Sequence, residues 1–301
     1  MMEKYKTIKT NDLYNENNWD KIVKECGGWN KKNKRQNENI NLKNCPFYQK
    51  RWTYVSQSGE EGILEDILKK IGMKNKFCIE LGANNGKSIS NTYYLKKKYN
   101  YTRLLIEGDK NVKISRDCSD EKLYYYLINS KNINIILENV LENPDLLSID
   151  IDGDDYWVLK EMKLKPRIII LEYNPGLPNN IPLVCKEGFG TVKSYEGSRW
   201  NIRVNKKNIK QDPNTFNKNL RLLNNYYGAN LLAYNRLMNK KGYLFVTSIS
   251  DNLIYILKEE FDKLNINVIT EENIIKKYFC PNKYWGEMHR DLYNNEWLII
   301  E

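Results

Sequence analysis

Histidine is almost absent from this chain, whose 301 residues include only one, His289. The six cysteines are scattered along the sequence and form no Cys-x-x-Cys pair. Because structural zinc sites draw on closely spaced cysteine and histidine ligands, this composition argues against such a site. We expect reduced thiols, with Cys78 buried in a strand, and we expect His289 at the surface or in ordinary packing.

Long apolar runs are lacking as well. No stretch of the sequence approaches the roughly 20 apolar residues that a membrane-spanning helix requires. The segment 1–21 has no apolar central stretch of the kind found in secretory signals. From these two absences we expect a soluble, intracellular, cytoplasmic protein without a membrane span.

Positive charge exceeds negative charge, with 48 lysines and arginines against 38 acidic residues and a formal net charge of +10. Such a surplus permits a nucleic-acid partner, because clustered lysine and arginine displace counterions from phosphates. Lysine, asparagine, isoleucine and tyrosine are abundant together, however, and an AT-rich genome produces this bias whatever the protein does. A nucleic-acid partner is therefore disfavoured, but it stays an alternative.

Four segments differ in composition. Residues 1–53 are polar, and the part from 27 to 44 is too poor in aliphatic side chains to supply a core, so we expect an appendage there. Short apolar runs alternate with helical periodicity over 54–260. This region is interrupted at 176–225, where no clear period is present and an insertion is expected. Residues 261–301 are predicted to form a C-terminal extension.

The alternation of strand-like and helix-like segments predicts an α/β fold. Most strand candidates are continuous apolar runs, which is typical of parallel strands buried on both faces. The expected architecture is a Rossmann-like, seven-stranded, mostly parallel sheet with helices on both faces and a terminal antiparallel hairpin. The predicted strands cover residues 76–82, 102–109, 132–137, 145–153, 167–175, 243–248 and 253–259.

A turn with two glycines, Gly82 and Gly86, follows the first predicted strand. The spacing between these glycines is one residue too short for a P-loop. A dinucleotide-binding fingerprint needs a third glycine, and Ala83 and Asn84 stand where the backbone would approach a pyrophosphate. The turn therefore matches neither phosphate motif, and a tight turn without a ligand is an alternative.

Acidic residues end the first two predicted strands. Glu107 follows Glu80 by about 27 residues, and a carboxylate at the end of the neighbouring strand can accept both hydroxyl groups of a ribose. Glu80 would face a positively charged part of the ligand. An acidic pocket favours S-adenosylmethionine (SAM), whose sulfonium and ammonium groups are cations. The alternative is that Glu107 is a solvated acid at a strand end.

At this point the chain resembles the class I SAM-dependent methyltransferases, and most of all the FkbM-type and related methyltransferases. The similar segments together cover about residues 56–258. They are SQSGEEGI (56–63), ELGANNG (80–86), SNT (90–92), LLIEGD (104–109), LLSIDIDGDDYWV (146–158), IILEYNP (169–175), YYGANLLAYNRL (226–237) and KGYLFV (241–246).

The resemblance implies a cofactor site. Glu80, Gly82 and Gly86 would line the methionine part of SAM, and Glu107 would bind its ribose. Asn84 and Asn85 depart from the family's loop, which is richer in glycine. The full set of predicted cofactor-binding residues is Glu80, Gly82, Ala83, Asn84, Asn85, Gly86, Glu107 and Gly108.

Carboxylates crowd the ends of the fourth and fifth predicted strands. Asp150 and Asp152 would share one strand face by the two-residue period, and either can act as a general base for an acceptor hydroxyl. Together with Glu172 and Asn174 they could instead bind Mg²⁺ through oxygen ligands, as metal-dependent catechol-type methyltransferases do. A third possibility is that these acids only cap the next helix and solvate a turn. The D-x-D pattern is also similar to a sugar-nucleotide transferase motif, a secondary alternative.

The function expected from these features is SAM-dependent O-methylation of a hydroxyl on a sugar, glycoconjugate or small molecule. An RNA or DNA methyltransferase and a non-catalytic binding module with the same fold are alternatives. By resemblance, Tyr226 and Tyr227 would form a wall on the acceptor side, and ordinary packing of these aromatics is equally expected. Arg199 and Trp200 could grip a sugar or an anion, although a structural role is favoured.

Overall fold

The computed structural model describes residues 5–9, 46–175, 177, 179–188, 227–277 and 296–301, and every structural statement below refers to these residues. Their strands are β1 (Lys6–Lys9), β2 (Phe77–Leu81), β3 (Thr102–Glu107), β4 (Leu123–Tyr125), β5 (Leu146–Ile149), β6 (Ile168–Glu172), β7 (Leu183–Val184), β8 (Tyr243–Ile249), β9 (Asn252–Leu257) and β10 (Glu296–Ile299).

The helices of the same residues are α1 (Glu60–Ile71), α2 (Tyr93–Tyr99), α3 (Ile133–Ile136), α4 (Asp155–Glu161), α5 (Leu231–Lys240), α6 (Lys258–Phe261) and α7 (Glu271–Lys277). Single 3₁₀ turns cover Tyr48–Lys50, Arg116–Cys118 and Asp262–Leu264. None of these described helices combines the length and the apolar character that crossing a membrane requires.

The main sheet contains seven strands in the order β4-β3-β2-β5-β6-β9-β8. The strands β4, β3, β2, β5 and β6 run parallel to one another. β9 is antiparallel to both of its neighbours, β6 and β8. The predicted α/β fold with a seven-stranded, mostly parallel sheet is therefore confirmed. β8 and β9 are consecutive strands joined through Ser250 and Asp251, and the described chain continues beyond them into a second sheet.

Apolar clusters cover both faces of the main sheet. On one face, Ile79 of β2 packs in a cluster that includes Trp157 of α4 and Tyr234 of α5. On the other face, Cys78 packs in a cluster that includes Ile67 of α1. Successive side chains of a strand point to opposite faces, so a continuous apolar run buries both. The predictions of helices on both faces and of a buried Cys78 are confirmed.

The prediction of a strand at 132–137 is wrong. Ile133–Ile136 form the short helix α3, and Ile135 is 65% exposed. The Asn132 side chain accepts the Asn129 N–H at 2.8 Å, which closes a turn immediately before the helix. The apolar residues of this run also recur at spacings of three and four, which suit a helix as well as a strand. The edge strand beside β3 is β4, which the sequence patterns missed.

A second sheet contains three antiparallel strands in the order β1-β10-β7. These strands come, respectively, from the predicted appendage, the predicted C-terminal extension and the predicted insertion. Trp297 of β10 is buried against Leu183 of β7. The Trp157 indole N–H of α4 donates to the Cys185 carbonyl oxygen at 3.0 Å, and this hydrogen bond joins the second sheet to the main one.

Candidate functional site

The order of the strands reverses at β2. From β2 the chain adds β3 and β4 on one side of the sheet and then crosses over to add β5 and β6 on the other side. In open α/β sheets, the carboxyl ends of the strands at such a reversal form a crevice in which ligands bind. All of the predicted site residues lie in or directly after the carboxyl ends of β2, β3, β5 and β6, so they meet at this edge.

Gly82 brings the turn after β2 into contact with the end of β5. Its φ is +78°, and a Cβ atom at this position would lie 1.6 Å from the carbonyl oxygen of Asp150. Glycine is therefore required both by the backbone conformation and by the close approach. The N–H groups of Gly82 and Ala83 both donate to the Ile106 carbonyl oxygen at 2.9 Å, so the turn is also fixed to β3.

The backbone N–H groups of this turn are largely used within the protein. Their acceptors are the carbonyl oxygens of Ile106 and Ala83 and the side chains of Glu107 and Asn85. The donors are the N–H groups of Gly82, Ala83, Asn84, Gly86, Lys87 and Ser88. A phosphate-binding turn instead points several free N–H groups into a concavity. The hydrogen bonds of this turn therefore do not suit a phosphate.

Glu107 lies beside the turn, as the adjacent positions of β2 and β3 require. Its Oε2 accepts the Asn84 N–H at 2.8 Å, and its Oε1 accepts the Asp109 N–H at 2.9 Å. Gly108, which lies between Glu107 and Asp109 in the sequence, is half-buried. A carboxylate oxygen can accept two hydrogen bonds, so each oxygen of Glu107 retains one acceptor position. The side chain is thereby oriented and can still bind a diol.

Glu80 is enclosed by the protein, and its side chain is only 4% exposed. Its Oε2 accepts the hydroxyl groups of Ser90 and Thr92 at 2.7 and 2.6 Å, and its Oε1 accepts the Asn91 N–H at 2.9 Å. Burial raises the pKa of this carboxyl, and the nearby Arg103 guanidinium opposes that shift. The carboxylate thus holds the segment 90–92, the SNT of the sequence, directly beside the crevice.

Asn91 connects the two strands at the reversal. Its Nδ2 donates to the Ser148 hydroxyl of β5 at 3.0 Å, and its backbone N–H is bound by Glu80 of β2. Ser148 and Glu80 are partners in the parallel register of these strands. The sequence patterns did not indicate a role for Ser148, because a serine within an apolar strand carries no signal of its partner.

Three carboxylates cluster at the ends of β5 and β6. One oxygen each from Asp150, Asp152 and Glu172 can be chosen so that all of them lie within 4.8 Å of one another. β5 ends at Ile149, and Asp152 has a φ of +58°, so Asp152 belongs to a turn and not to a strand. The prediction that Asp150 and Asp152 share a strand face is therefore wrong, because neither residue lies in a strand. Their carboxylates nevertheless lie close together, as predicted.

The cluster strongly favours the protonated form of its carboxyl groups. Burial raises the pKa of Asp150 well above its usual range, and the negative charge of Asp152 raises it further. Burial and the neighbouring Asp150 raise the pKa of Glu172 in the same way. Closely spaced carboxyl groups oppose each other's ionisation, so this pair holds a proton more tightly than isolated carboxyl groups do.

The remaining predicted ligand, Asn174, is fully buried, and its Nδ2 donates to the Tyr227 carbonyl oxygen at 3.2 Å. Asp155 has the structural role that was one of the alternatives for the acids of this region. Its carboxylate accepts the N–H groups of Ile151 and Gly153, both at 3.0 Å, and burial raises its pKa to about 6.

Two further acids reach this edge without having been predicted. Glu61 and Glu60, at the start of α1, are buried. The Glu60 carboxylate accepts the Asn252 side-chain amide at 2.9 Å. Asn252 of β9 stands directly opposite Glu172 of β6 in the antiparallel register. In the sequence, the only indication of these two acids is the EE pair in SQSGEEGI (56–63), and acids are common in the first turn of any helix.

The donor sets at this edge fit the two predicted cofactors in chemical type. Carboxylate oxygens with separations up to about 5 Å can surround a divalent cation whose metal–oxygen distances are about 2.0–2.6 Å. Glu107 offers the acceptors that a ribose diol needs.

No protein-family model matches this chain, and a search of curated proteins gave no significant match.

Several residues for which the sequence suggested a role lie outside the described residues, namely Arg199, Trp200, Tyr226 and His289.

Proposed function

We propose that this chain is a SAM-dependent O-methyltransferase that acts on a hydroxyl group of a sugar, a glycoconjugate or a small molecule. The observation that carries the proposal is the turn after β2. It lies at the reversal of strand order, uses its N–H groups internally and is bordered by the Glu107 carboxylate. Such a turn disfavours a phosphate and favours a ribose next to a cationic group.

The basic side chains near the turn also disfavour a phosphate. Lys87, which directly follows Gly86, forms an ion pair with Asp117. Arg103 is completely buried, where its guanidinium binds Glu121 at 2.5 Å and lies 3.8 Å from Glu80. Both cations are therefore already neutralised by carboxylates of the protein.

Each part of the edge has a proposed role. SAM supplies a methyl group on a positively charged sulfur. Glu107 binds the ribose hydroxyls, and Glu80 acts as a positioning residue that holds the segment 90–92 against the cofactor. Asp150 or Asp152 accepts the proton of the acceptor hydroxyl, and the raised pKa of Asp150 favours that residue as the base. Alignment of acceptor and methyl group supplies much of the rate.

The experiment that tests this proposal is a calorimetric titration with S-adenosylhomocysteine. We expect the wild-type protein to bind this product, and we expect Glu107→Gln to bind it about tenfold more weakly, because a carboxylate acceptor for the ribose is lost. The matched control is Glu142→Gln. Glu142 lines a groove of about 540 Å³ beside Phe77, at the amino end of β2, and its replacement should leave the affinity unchanged. Equal affinities of the wild type and Glu107→Gln would remove the ribose assignment.

A divalent cation held by Asp150, Asp152 and Glu172 is the alternative to a general-base role for the aspartates. Because the pKa values of Asp150 and Glu172 are raised, a bound cation must displace a proton. The affinity for Mg²⁺ or Mn²⁺ should therefore rise by about tenfold per pH unit while the pH is below the raised pKa. Titrations at several pH values would measure this dependence, and a pH-independent affinity would contradict it.

Asp150→Asn separates cation binding from folding. The variant should lose the cation, whereas Asp262→Asn, at an exposed acid, should bind it normally. A carboxyl group with a raised folded-state pKa stabilises the fold below its unfolded-state pKa and loses that contribution as the pH rises through the folded value. Without a cation, Asp150→Asn should therefore be more stable than the wild type at alkaline pH. A less stable variant under these conditions would argue that Asp150 is needed for folding itself.

A further inference from the structure

The segment 51–59, here called the strap, crosses the start of α1 and is held by buried carboxylates. The Glu61 side chain accepts the N–H groups of Val55 and Ser56 at 2.7 and 2.6 Å, and it also accepts the Ser56 hydroxyl. The Glu60 side chain accepts the Ser58 N–H at 2.8 Å. Buried charge used in this way fixes the conformation of the strap.

The strap also packs tightly on α1 through Gly62. A Cβ atom at Gly62 would lie 2.0 Å from the Lys50 carbonyl oxygen and 2.5 Å from the Trp52 ring. The Gly62 N–H donates to the Trp52 carbonyl oxygen at 3.3 Å. The strap is thus a built part of the fold and is held at both of its ends.

This fixed segment presents aromatic rings to solvent. Tyr54 is 54% exposed and Trp52 is 37% exposed. The Tyr54 ring is nearly parallel to the Tyr93 ring, with an interplanar angle of 11° and a centroid distance of 6.2 Å. Trp52 contacts the Tyr94 ring edge to face at 4.5 Å. The underlying rings support Trp52 and Tyr54 from one side and leave them accessible from the other.

The strap lies at the rim of the crevice described above. At one end, Glu60 holds both Ser58 of the strap and Asn252, which stands opposite Glu172 of the acidic cluster. Nearer the middle of the strap, Tyr54 packs on Tyr93. Tyr93 directly follows the segment 90–92 that Glu80 holds. The strap is therefore connected both to a residue beside the acidic cluster and to the segment that Glu80 holds.

The cations around the aromatic rings are paired. Lys98 binds Glu65 at 2.7 Å, and Lys87 is bound by Asp117. The Arg51 guanidinium stacks on the Tyr48 ring and donates to the Tyr48 carbonyl oxygen at 3.1 Å. Exposed aromatic faces whose neighbouring lysines are paired with carboxylates suit a neutral ring better than the phosphates of a nucleic acid.

We propose that Trp52 and Tyr54 form a binding subsite for a neutral, polyhydroxylated ring of the acceptor, which packs its C–H face on these aromatic side chains. The identification of this ligand as the methyl acceptor rests on the proposed function. Both residues are positioning residues, because they would hold the acceptor over the acidic cluster without contacting the reacting atoms.

Saturation-transfer NMR on the full chain tests the subsite. The probes are methyl β-D-glucopyranoside and methyl β-D-galactopyranoside as single rings, maltotriose as the end of a glycan, and a short oligothymidylate. We expect saturation of the ring protons of at least one glycoside by the wild type, and binding about fivefold weaker in Tyr54→Ala and in Trp52→Ala. Tyr54→Phe, which keeps the ring, should retain binding. Should Tyr54→Ala fail to fold, Trp52→Ala carries the comparison.

Tyr126→Ala is the matched control, because Tyr126 is similarly exposed, at 48%, but follows the outer strand β4. Its glycoside binding should equal that of the wild type. The subsite is overturned if no glycoside is saturated, if Tyr54→Ala binds as tightly as the wild type, or if only oligothymidylate depends on Tyr54.

Parallel titrations with S-adenosylhomocysteine distinguish the two proposals, because Tyr54→Ala should bind this product like the wild type. Glycoside binding through Tyr54 without any binding of S-adenosylhomocysteine would support the subsite and reject the methyltransferase. Binding of S-adenosylhomocysteine without glycoside binding would reject the subsite alone.

Discussion

Gly82→Ala is expected to lower the free energy of unfolding by about 3–5 kcal/mol. The added Cβ would lie 1.6 Å from the Asp150 carbonyl oxygen, which is backbone and cannot move aside as a side chain could. Relief of this overlap must separate the turn after β2 from the end of β5. Chemical denaturation would measure the loss, and calorimetry should show that binding of S-adenosylhomocysteine is lost with it.

Gly72→Ala is the matched control for Gly82→Ala. Both glycines have a φ of +78°, but a Cβ atom at Gly72 would meet no atom within 4 Å. The control therefore carries the cost of the backbone conformation alone, which at a φ of +78° and a ψ of 140° is about 1–3 kcal/mol. If the two variants were destabilised equally, the contact between Gly82 and Asp150 would not be the reason for the glycine.

Arg167→Ala is expected to lower the free energy of unfolding by about 3–5 kcal/mol, because it removes a buried cation that bridges two carboxylates. The Arg167 guanidinium binds Asp145 at 2.8 Å and Glu260 at 2.7 Å. It also donates to the carbonyl oxygens of Ile71 and Gly72, at 3.0 and 2.7 Å. Glu260 would keep Lys263 as its cation, but Asp145, which is fully buried, would keep only hydrogen bonds. Chemical denaturation would measure the loss.

Arg236→Ala is the control for Arg167→Ala. Arg236 binds Glu271 at 2.6 Å, but the two side chains are 34% and 39% exposed. Ion pairs that solvent screens in this way contribute at most about 1 kcal/mol. A similar loss in both arginine variants would show that burial does not determine the contribution of the Arg167 network.

The parts of the fold that the sequence predicted well are the buried parallel strands. β2, β5 and β6 are continuous apolar runs because both faces of each strand are covered by helices. The short outer strand β4 was missed, and 132–137 was predicted as a strand in its place. The hydrophobic periodicity could not distinguish the two structures there, because an apolar run of only a few residues fits the period of a helix and that of a strand equally well. The pairing of β1 with β10 was invisible because it joins distant parts of the chain.

The candidate site was predicted in position better than in detail. Glu107, Asp150 and Glu172 meet at one edge because parallel strands end there together. The hydrogen bonds of Glu80 could not be foreseen, since its donors belong to residues 90–92 and their fold depends on tertiary contacts. The turn that contains Asp152 was read as strand because the aspartates alternate with apolar residues up to Gly153. The strap was missed because the acids that hold it, Glu60 and Glu61, resemble the solvated acids common at the start of a helix.

The most direct test of the central claim is a calorimetric comparison of SAM with NAD⁺ on the wild-type protein. The claim is that the turn after β2 receives a cationic nucleoside because its N–H groups are used internally and the Glu107 carboxylate borders it. We expect saturable binding of SAM and no binding of NAD⁺ at the same concentrations. Saturable binding of NAD⁺ without binding of SAM would contradict the account.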